Sequence, residues 1–478
     1  MSNSLEGVAG IVLAAGGGSR LKSTLPKVLH LAAGRPLLCH VLAALNPLSL
    51  QTTIVVGPAE WELIRDTAAE FGFSAGLGFA VQDPPRGTAD ALRAALEQTG
   101  SAETLLVAPG DCPMLEADTL YRLLETHASS EAHATVLTAR VHDPSGYGRI
   151  VRDGRDVVRI VEDRDATEAE RRIHEINGGA YAFDATSLID ALDKVDRENS
   201  QGEYYLSDVV GLLGAMGRRI GSLETEAEEV SGVNNRSQLA YVSGLLRHRV
   251  CERWMAEGVS IVDPRTTYID ATVTIGRDAT IHPFTFLEGD SRIAENAEIG
   301  PQTRLVDSEV ETGATISFAV VLNSKIGRNA QVGPFASIRP GTELKDNSKV
   351  GTFVETKAST IGVNSKVPHL SYLGNAELGK GVNIGAGTIT CNWDGRAKHA
   401  TVIEDDAYIS SDTMLVAPVH VGERAATGAG AVVNRDVPAD GLAVGAPARI
   451  LRGRGDKMDR ARSNERIEQR GDSPGPKG

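Results

Sequence analysis

From Ile11 to about Asn235, short apolar runs alternate with longer stretches whose apolar residues recur at helical spacing. The runs are Gly10-Ile11-Val12-Leu13, Thr53-Ile54-Val55-Val56, Thr104-Leu105-Leu106-Val107 and Ala134-Thr135-Val136-Leu137, and Ala89 to Leu96 typifies the stretches between them. Strands alternating with helices predict a mainly parallel, Rossmann-like α/β sheet. Ligands meet such a sheet beyond the carboxyl ends of its strands. Residues 237–257 read as one connecting helix.

After Asp263 the period becomes six. Aliphatic residues fall at Ile275, Ile281, Leu287, Ile293, Ile299 and Leu305, then at Ile326, Val332, Ile338, Leu344 and Val350, and again at Ile403, Ile409, Leu415 and Val421. A small residue often follows, as in Ile299-Gly300 and Val332-Gly333. Such a hexapeptide supplies one short strand and one corner, and three of them close a triangular coil. The period fails between Cys391 and Ala400, which predicts a loop leaving the coil. From Arg452 onward the tail is charged and rich in Gly, Ser and Pro, a composition that predicts disorder. These readings divide the chain at 1–236, 237–257, 258–452 and 453–478.

Composition narrows the functions. A net charge of −14 argues against a nucleic-acid surface, which needs a basic face, so anionic ligands must be met by local cations. Cys39, Cys112, Cys251 and Cys391 are far apart and read as reduced thiols of a cytoplasmic protein. The apolar stretch Val8 to Ala15 has no basic leader and is too short to span a bilayer, so no membrane insertion is expected.

Two groups of polar residues interrupt these patterns. In the first half, Gly16-Gly17-Gly18 follows a strand directly and is itself followed by Arg20 and Lys27, a phosphate-binding arrangement of close backbone and cations. Asp111 ends another strand at the same sheet edge, where a carboxylate beside phosphates suits Mg²⁺. The segments Glu175–Gly179, Gln201–Asp208 and Gly232–Arg236 are polar, Gly-bearing and readable as loops. In the coil, Arg339, Lys357, His369, Tyr372, Asn375 and Asn383 break a wall that needs small and aliphatic residues. A histidine there can take an amine's proton during acyl transfer, and two cations can hold a phosphate.

In order over the whole first half, and nearly residue for residue from Ile338 to Pro418, these segments resemble the bifunctional N-acetylglucosamine-1-phosphate uridylyltransferase/glucosamine-1-phosphate acetyltransferase family. The resemblance implies an α/β nucleotidyltransferase domain followed by a left-handed parallel β-helix. Leu13, Ala14, Ala15 and Gly16, with Gln82, Gly87 and Thr88, would hold UTP, and Arg20 and Lys27 would act on its phosphates. Asp111 and Asn234 would hold Mg²⁺, while Gly148, Glu162 and Asn177 would contact the amino sugar. In the β-helix His369 would be the base and Arg339, Lys357, Tyr372 and Asn383 the glucosamine-1-phosphate site. Ala386, Asn392, Trp393, Ser411 and Ala429 would bind acetyl-CoA, the Asn392–Trp393 loop reaching a neighbour in a homotrimer. Pro85 stands where a second base-reading glutamine is expected, Pro109 replaces the usual aromatic before Gly110-Asp111, Trp393 stands where the family often has Tyr, and Ala446 stands where some members carry a cation. A single-activity nucleotidyltransferase with a regulatory β-helix is the alternative.

Overall fold

The computed structural model describes residues 5–453. The expectation of a disordered tail over 453–478 therefore lies, Gly453 apart, outside the described residues. The chain forms two compact units, Met1–Leu246 and Arg247–Gly478, and the division falls within an α-helix spanning Arg236–Ala256.

In the first unit the four apolar runs are the strands Val8–Leu13, Gln51–Val56, Thr104–Pro109 and Ala134–Arg140. The strand Val8–Leu13 pairs in parallel with both Gln51–Val56 and Thr104–Pro109, so their carboxyl ends share one edge. Successive side chains point to opposite faces. Val12, Ile54 and Leu106 accordingly pack on one side, and Ile11, Val55, Leu105 and Val107 on the other. Both faces are covered, which is why the runs are apolar without alternation. The parallel scheme is broken by Glu175–Asp184 and by the hairpin of Arg149–Asp153 with Asp156–Val161, which joins it. Glu175–Asp184 lies antiparallel between Thr104–Pro109 and Ala134–Arg140, with its register shifting between Asn177 and Tyr181. The polar segment Glu175–Gly179 is thus half of a strand, and Gly178 is needed there because a Cβ would sit 2.8 Å from the Leu137 carbonyl.

The second unit is the left-handed parallel β-helix that the resemblance implies, built from the coils the hexapeptide repeat predicts. Strands of two to four residues stack into three sheets, each strand pairing in parallel with its counterpart one coil on, as Thr280–Ile281 does with Glu298–Ile299. Among the described residues only the last strand, Arg449–Leu451, turns back antiparallel, on Leu442–Val444. The periodic aliphatics from Ile275 to Leu305 are buried in the coil interior. The first run stops at Leu305 because the next coils are shorter: Leu305 pairs with Val321 and Ile316 with Val332, each closer in sequence than three full hexapeptides.

The corners differ in chemistry. At one, Asn296, Asn329, Asn347 and Asn364 adopt φ of 58, 52, 57 and 59°, a left-handed conformation asparagine tolerates. At another the same conformation is taken by Phe284, Phe318, Phe335 and Phe353, where a bulky residue is uncommon. Phe335 stacks on Phe353 with ring centroids 5.5 Å apart, and such pairs contribute about 0.5–1.5 kcal/mol each. Among the described residues no helix is long and apolar enough to cross a membrane.

Candidate active sites

At the shared carboxyl edge of the first unit lies a cavity of about 480 Å³. It is lined by Leu13, Ala14, Ala15, Gly16, Lys27, Gln82, Gly87, Thr88, Asp111, Glu162 and Asn177, which the sequence had spread over 165 positions, together with Pro85 and Pro109. A Cβ on Gly16 or Gly17 would meet nothing within 4 Å beyond its chain neighbours, so packing does not require glycine there and the bare backbone is open to close approach by a ligand. Gly87 is different: its φ is 118° and a Cβ would lie 2.5 Å from the Tyr204 carbonyl. Gly148 is beside the wall, since a Cβ on it would sit 3.4 Å from both Asn177 Cβ and Glu162 Oε1.

Charge gathers at the mouth of this cavity. Lys27 Nζ lies 2.5 Å from Asp111 Oδ2 and 3.3 Å from Asn234 Oδ1, and Arg20 Nη2 donates to the same Asn234 oxygen at 2.8 Å. The ammonium shows that the two oxygens converge on one cation. An all-oxygen pair of this kind fits Mg²⁺, which takes one or two protein ligands and keeps waters and substrate phosphates for the rest. Deeper in, burial raises the Glu162 carboxyl above its ordinary range although the Ser207 hydroxyl donates to it at 2.7 Å. Asp208, behind it, is pushed up to about 6, first by burial and then by the charges of Glu162, Asp196 and Asp165. Glu203 and Ser207, within the segment Gln201–Asp208 but not singled out there, and Tyr181, which the sequence reading missed, also line the cavity.

On the β-helix, Arg339, Lys357 and Tyr372 lie on or beside successive strands of one sheet: Ser337 pairs with Glu355, Glu355 with Tyr372, and Lys357 with Gly374. His369 ends the strand Lys366–His369 on the adjacent sheet, and Asn383 pairs with Lys366 there. Only the corner residues Leu370 and Ser371 separate His369 from Tyr372, and His369 is exposed. Arg339 Nη1 bonds Glu355 Oε1 at 2.7 Å. Lys357 is held below its ordinary pKa first by direct contact with Lys398 and then by Arg339. Lys398 belongs to the loop 392–400, whose period-breaking sequence suggested only an exit from the coil.

That loop is ordered by one carboxylate. Asp394 Oδ1 accepts from the backbone of Ala397 and Arg396, each at 2.7 Å, and Oδ2 meets His399 Nε2 at 2.7 Å. These bonds hold the Asp394 carboxyl far below its usual range. Asn392 turns inward and donates to Asn375 Oδ1 at 2.8 Å, while Trp393 is exposed and bridges to Lys398. Ser411 and Ala429 are exposed and Ala386 is half-buried, further along the coil.

Elsewhere, a shallow groove of about 560 Å³ on the coil is lined by Glu377, Glu404, Asp405 and Glu423 and gathers none of these residues. The four cysteines are separate thiols, three of them buried. Burial raises Cys39 to about 12 and Cys251 to about 11, so neither is a ready nucleophile.

A nucleotide-sized cavity on a mainly parallel sheet, followed by a hexapeptide coil, defines a nucleotidyltransferase carrying a β-helix. Residues 10–202 match the MobA-like NTP transferase domain. The chain is 47% identical to the bifunctional protein GlmU of Streptomyces avermitilis, with 92% of each chain covered. It is also 43% identical to GlmU of Syntrophomonas wolfei, over 91% of this chain and 97% of that one, and 47% identical to GlmU of Heliobacterium modesticaldum, over 91% and 94%. The chain belongs to the GlmU family of bifunctional enzymes.

Proposed function

We propose that the chain makes UDP-N-acetylglucosamine for the cell envelope in two steps, as a cytoplasmic homotrimer. In the β-helix unit, the amine of glucosamine-1-phosphate attacks the thioester carbonyl of acetyl-CoA, His369 takes the amine's proton, and coenzyme A leaves. Arg339 and Lys357 hold the sugar phosphate, Tyr372 and Asn383 orient the sugar, and Lys398 joins the two cations. Two ammonium groups held against each other suit an anion between them. Ala386, Asn392, Trp393, Ser411 and Ala429 take acetyl-CoA. The exposed edge of Phe284, Phe335, Phe353 and Leu370 beside His369 supports self-association of coils.

In the first unit, the phosphate of N-acetylglucosamine-1-phosphate attacks the α-phosphorus of UTP and pyrophosphate departs. No side-chain nucleophile is required, because positioning and charge neutralisation carry such a transfer. Gly148, Glu162 and Asn177 hold the sugar, Leu13 to Gly16 with Gln82, Gly87 and Thr88 hold the nucleotide, and Arg20 and Lys27 neutralise its phosphates. Asp111 and Asn234 are the residues that would hold Mg²⁺, which would supply further neutralisation of the triphosphate.

The observation that carries the reading is the convergence of Lys27, Asp111 and Asn234 on one point at the cavity mouth, in a chain that also bears His369 and its cations. The test is a coupled assay of the purified protein with UTP, Mg²⁺, acetyl-CoA and glucosamine-1-phosphate. UDP-N-acetylglucosamine should form with equal release of coenzyme A thiol and pyrophosphate. Pyrophosphate release on supplied N-acetylglucosamine-1-phosphate without any thiol release from acetyl-CoA and glucosamine-1-phosphate would instead leave a single-activity nucleotidyltransferase with a regulatory β-helix.

A further inference from the structure

We propose that Asp90 sets the nucleobase preference of the cavity by fixing which face of the Gln82 amide looks into it, an inference that rests on reading this cavity as the nucleoside triphosphate site. Gln82 follows the strand Leu77–Val81, lines the cavity and is only 4% exposed. Its Nε2 donates to the Gly87 carbonyl at 3.0 Å and to Asp90 Oδ2 at 2.9 Å. Both partners are acceptors only, so a reversed amide would set oxygen against two oxygens. The orientation follows from the partners. Both amide hydrogens are thereby consumed, and among the described residues nothing donates to Oε1. What Gln82 offers a ligand is a hydrogen-bond acceptor.

An acceptor at this depth matches a pyrimidine whose N3 carries a hydrogen, as in uracil. Cytosine presents a lone pair at N3, and the two acceptors would face each other with neither satisfied. Asp90 itself does not line the cavity. It is 8% exposed, sits behind Gln82 in the first turn of the helix Thr88–Leu96, and is held from the far side by Arg86, whose Nη2 lies 3.2 Å from Oδ1 and Nε 3.4 Å from Oδ2. A carboxylate in a first helical turn is favourable on its own account. That role, however, needs no bond to Gln82. Because Pro85 occupies the place of a second glutamine, Gln82 is the amide left in this loop to read the base, and Asp90 is the residue that orients it.

The test uses the full-length protein, with equilibrium binding of UTP and CTP and steady-state transfer from each. Wild type should prefer UTP by about a hundredfold or more, as sites built around a hydrogen bond do. Asp90→Asn keeps the shape but can donate, so either face of Gln82 becomes available, and Asp90→Ala removes the anchor altogether. Each should narrow the UTP-to-CTP ratio about tenfold, with the loss for UTP appearing in KM more than in kcat. A helix-end role would lower the melting temperature and weaken both nucleotides alike. An unchanged ratio in both variants, or a wild type indifferent to the base, overturns the proposal. Transfer from UTP with an unchanged ratio removes the orienting role and leaves the function standing. Preference for UTP in binding, narrowed in the variants but with no transfer, supports the orienting role and removes the function.

Discussion

At the mouth of the nucleotidyltransferase cavity Lys27 and Asp111 already hold each other, whereas on the β-helix Lys357 crowds against Lys398 beside the exposed His369. Lys27 and Asp111 are each 16% exposed and in contact. A lone charge at that depth would be costly, so the Lys27 ammonium and the oxygens of Asp111 and Asn234 satisfy each other. On the coil, Arg339 and Glu355 are 42% and 41% exposed, Lys357 lies against Lys398, and His369 is open to water. Solvent screening makes such crowding cheap. The cause is architectural. A sheet edge receives loops from several strands and can wall in a ligand. Strands of two to four residues joined by tight corners leave a flat wall, so a site there takes its depth from bound ligand or from a second surface.

If the two sites are separate, the largest effect falls on one of them alone. His369→Ala should slow acetyl transfer by about 10²–10⁴-fold while leaving pyrophosphate release from UTP and N-acetylglucosamine-1-phosphate at the wild-type rate. The measurement is coenzyme A thiol release against pyrophosphate release on one preparation, and wild-type acetylation would end the assignment of His369 as base. The mirror experiment is Asp111→Ala. It leaves Lys27 without its carboxylate partner and should cost uridylyl transfer about 10²–10³-fold with acetylation unchanged. Loss of both activities in either variant would show that the sites are coupled.

Lys398→Ala sharpens the contrast in charge crowding. Without its neighbour, Lys357 loses the largest cause of its lowered pKa, but the phosphate loses one of three cations. The KM for glucosamine-1-phosphate should rise about tenfold with little change in kcat, as measured with saturating acetyl-CoA. A fall in kcat alone would place Lys398 outside phosphate binding.

The same contrast governs what could be read from the sequence. The coil is written in one dimension, since each aliphatic of the repeat enters the interior wherever the turn lengths hold, and the reading lapsed where Leu305 is followed by a shortened coil. Asp111 and the Gly16 turn were legible because each lies two or three residues past a strand, ending at Pro109 and Leu13, and those strand ends share an edge. The antiparallel strand Glu175–Asp184 was hidden by Asn177-Gly178-Gly179, whose polarity serves the cavity rather than a turn. Asp90 and Lys398 were invisible for another reason. A carboxylate in a first helical turn and a lysine in a loop are ordinary there, and their partners, Gln82 and Lys357, are known only once the chain is folded.

The smallest effect concerns the carboxylates behind the Glu162 wall of the cavity. Burial and the neighbouring Glu162, Asp196 and Asp165 raise Asp208 from 3.8 in the free side chain to about 6 in the folded protein. The folded state therefore keeps a proton that the unfolded chain releases. Stability contributed by this group is complete below pH 3.8, declines as pH rises towards about 6, and stays at its lower level above that. Asp208→Asn cannot ionise and escapes the decline. At pH 8 the variant should melt roughly 2–4 °C above wild type, and the difference should shrink towards zero near pH 4. Calorimetry of both proteins at the two pH values decides it. A gain of equal size at both would mean that asparagine packs better there, and that the charge of Asp208 is not what destabilises the wall.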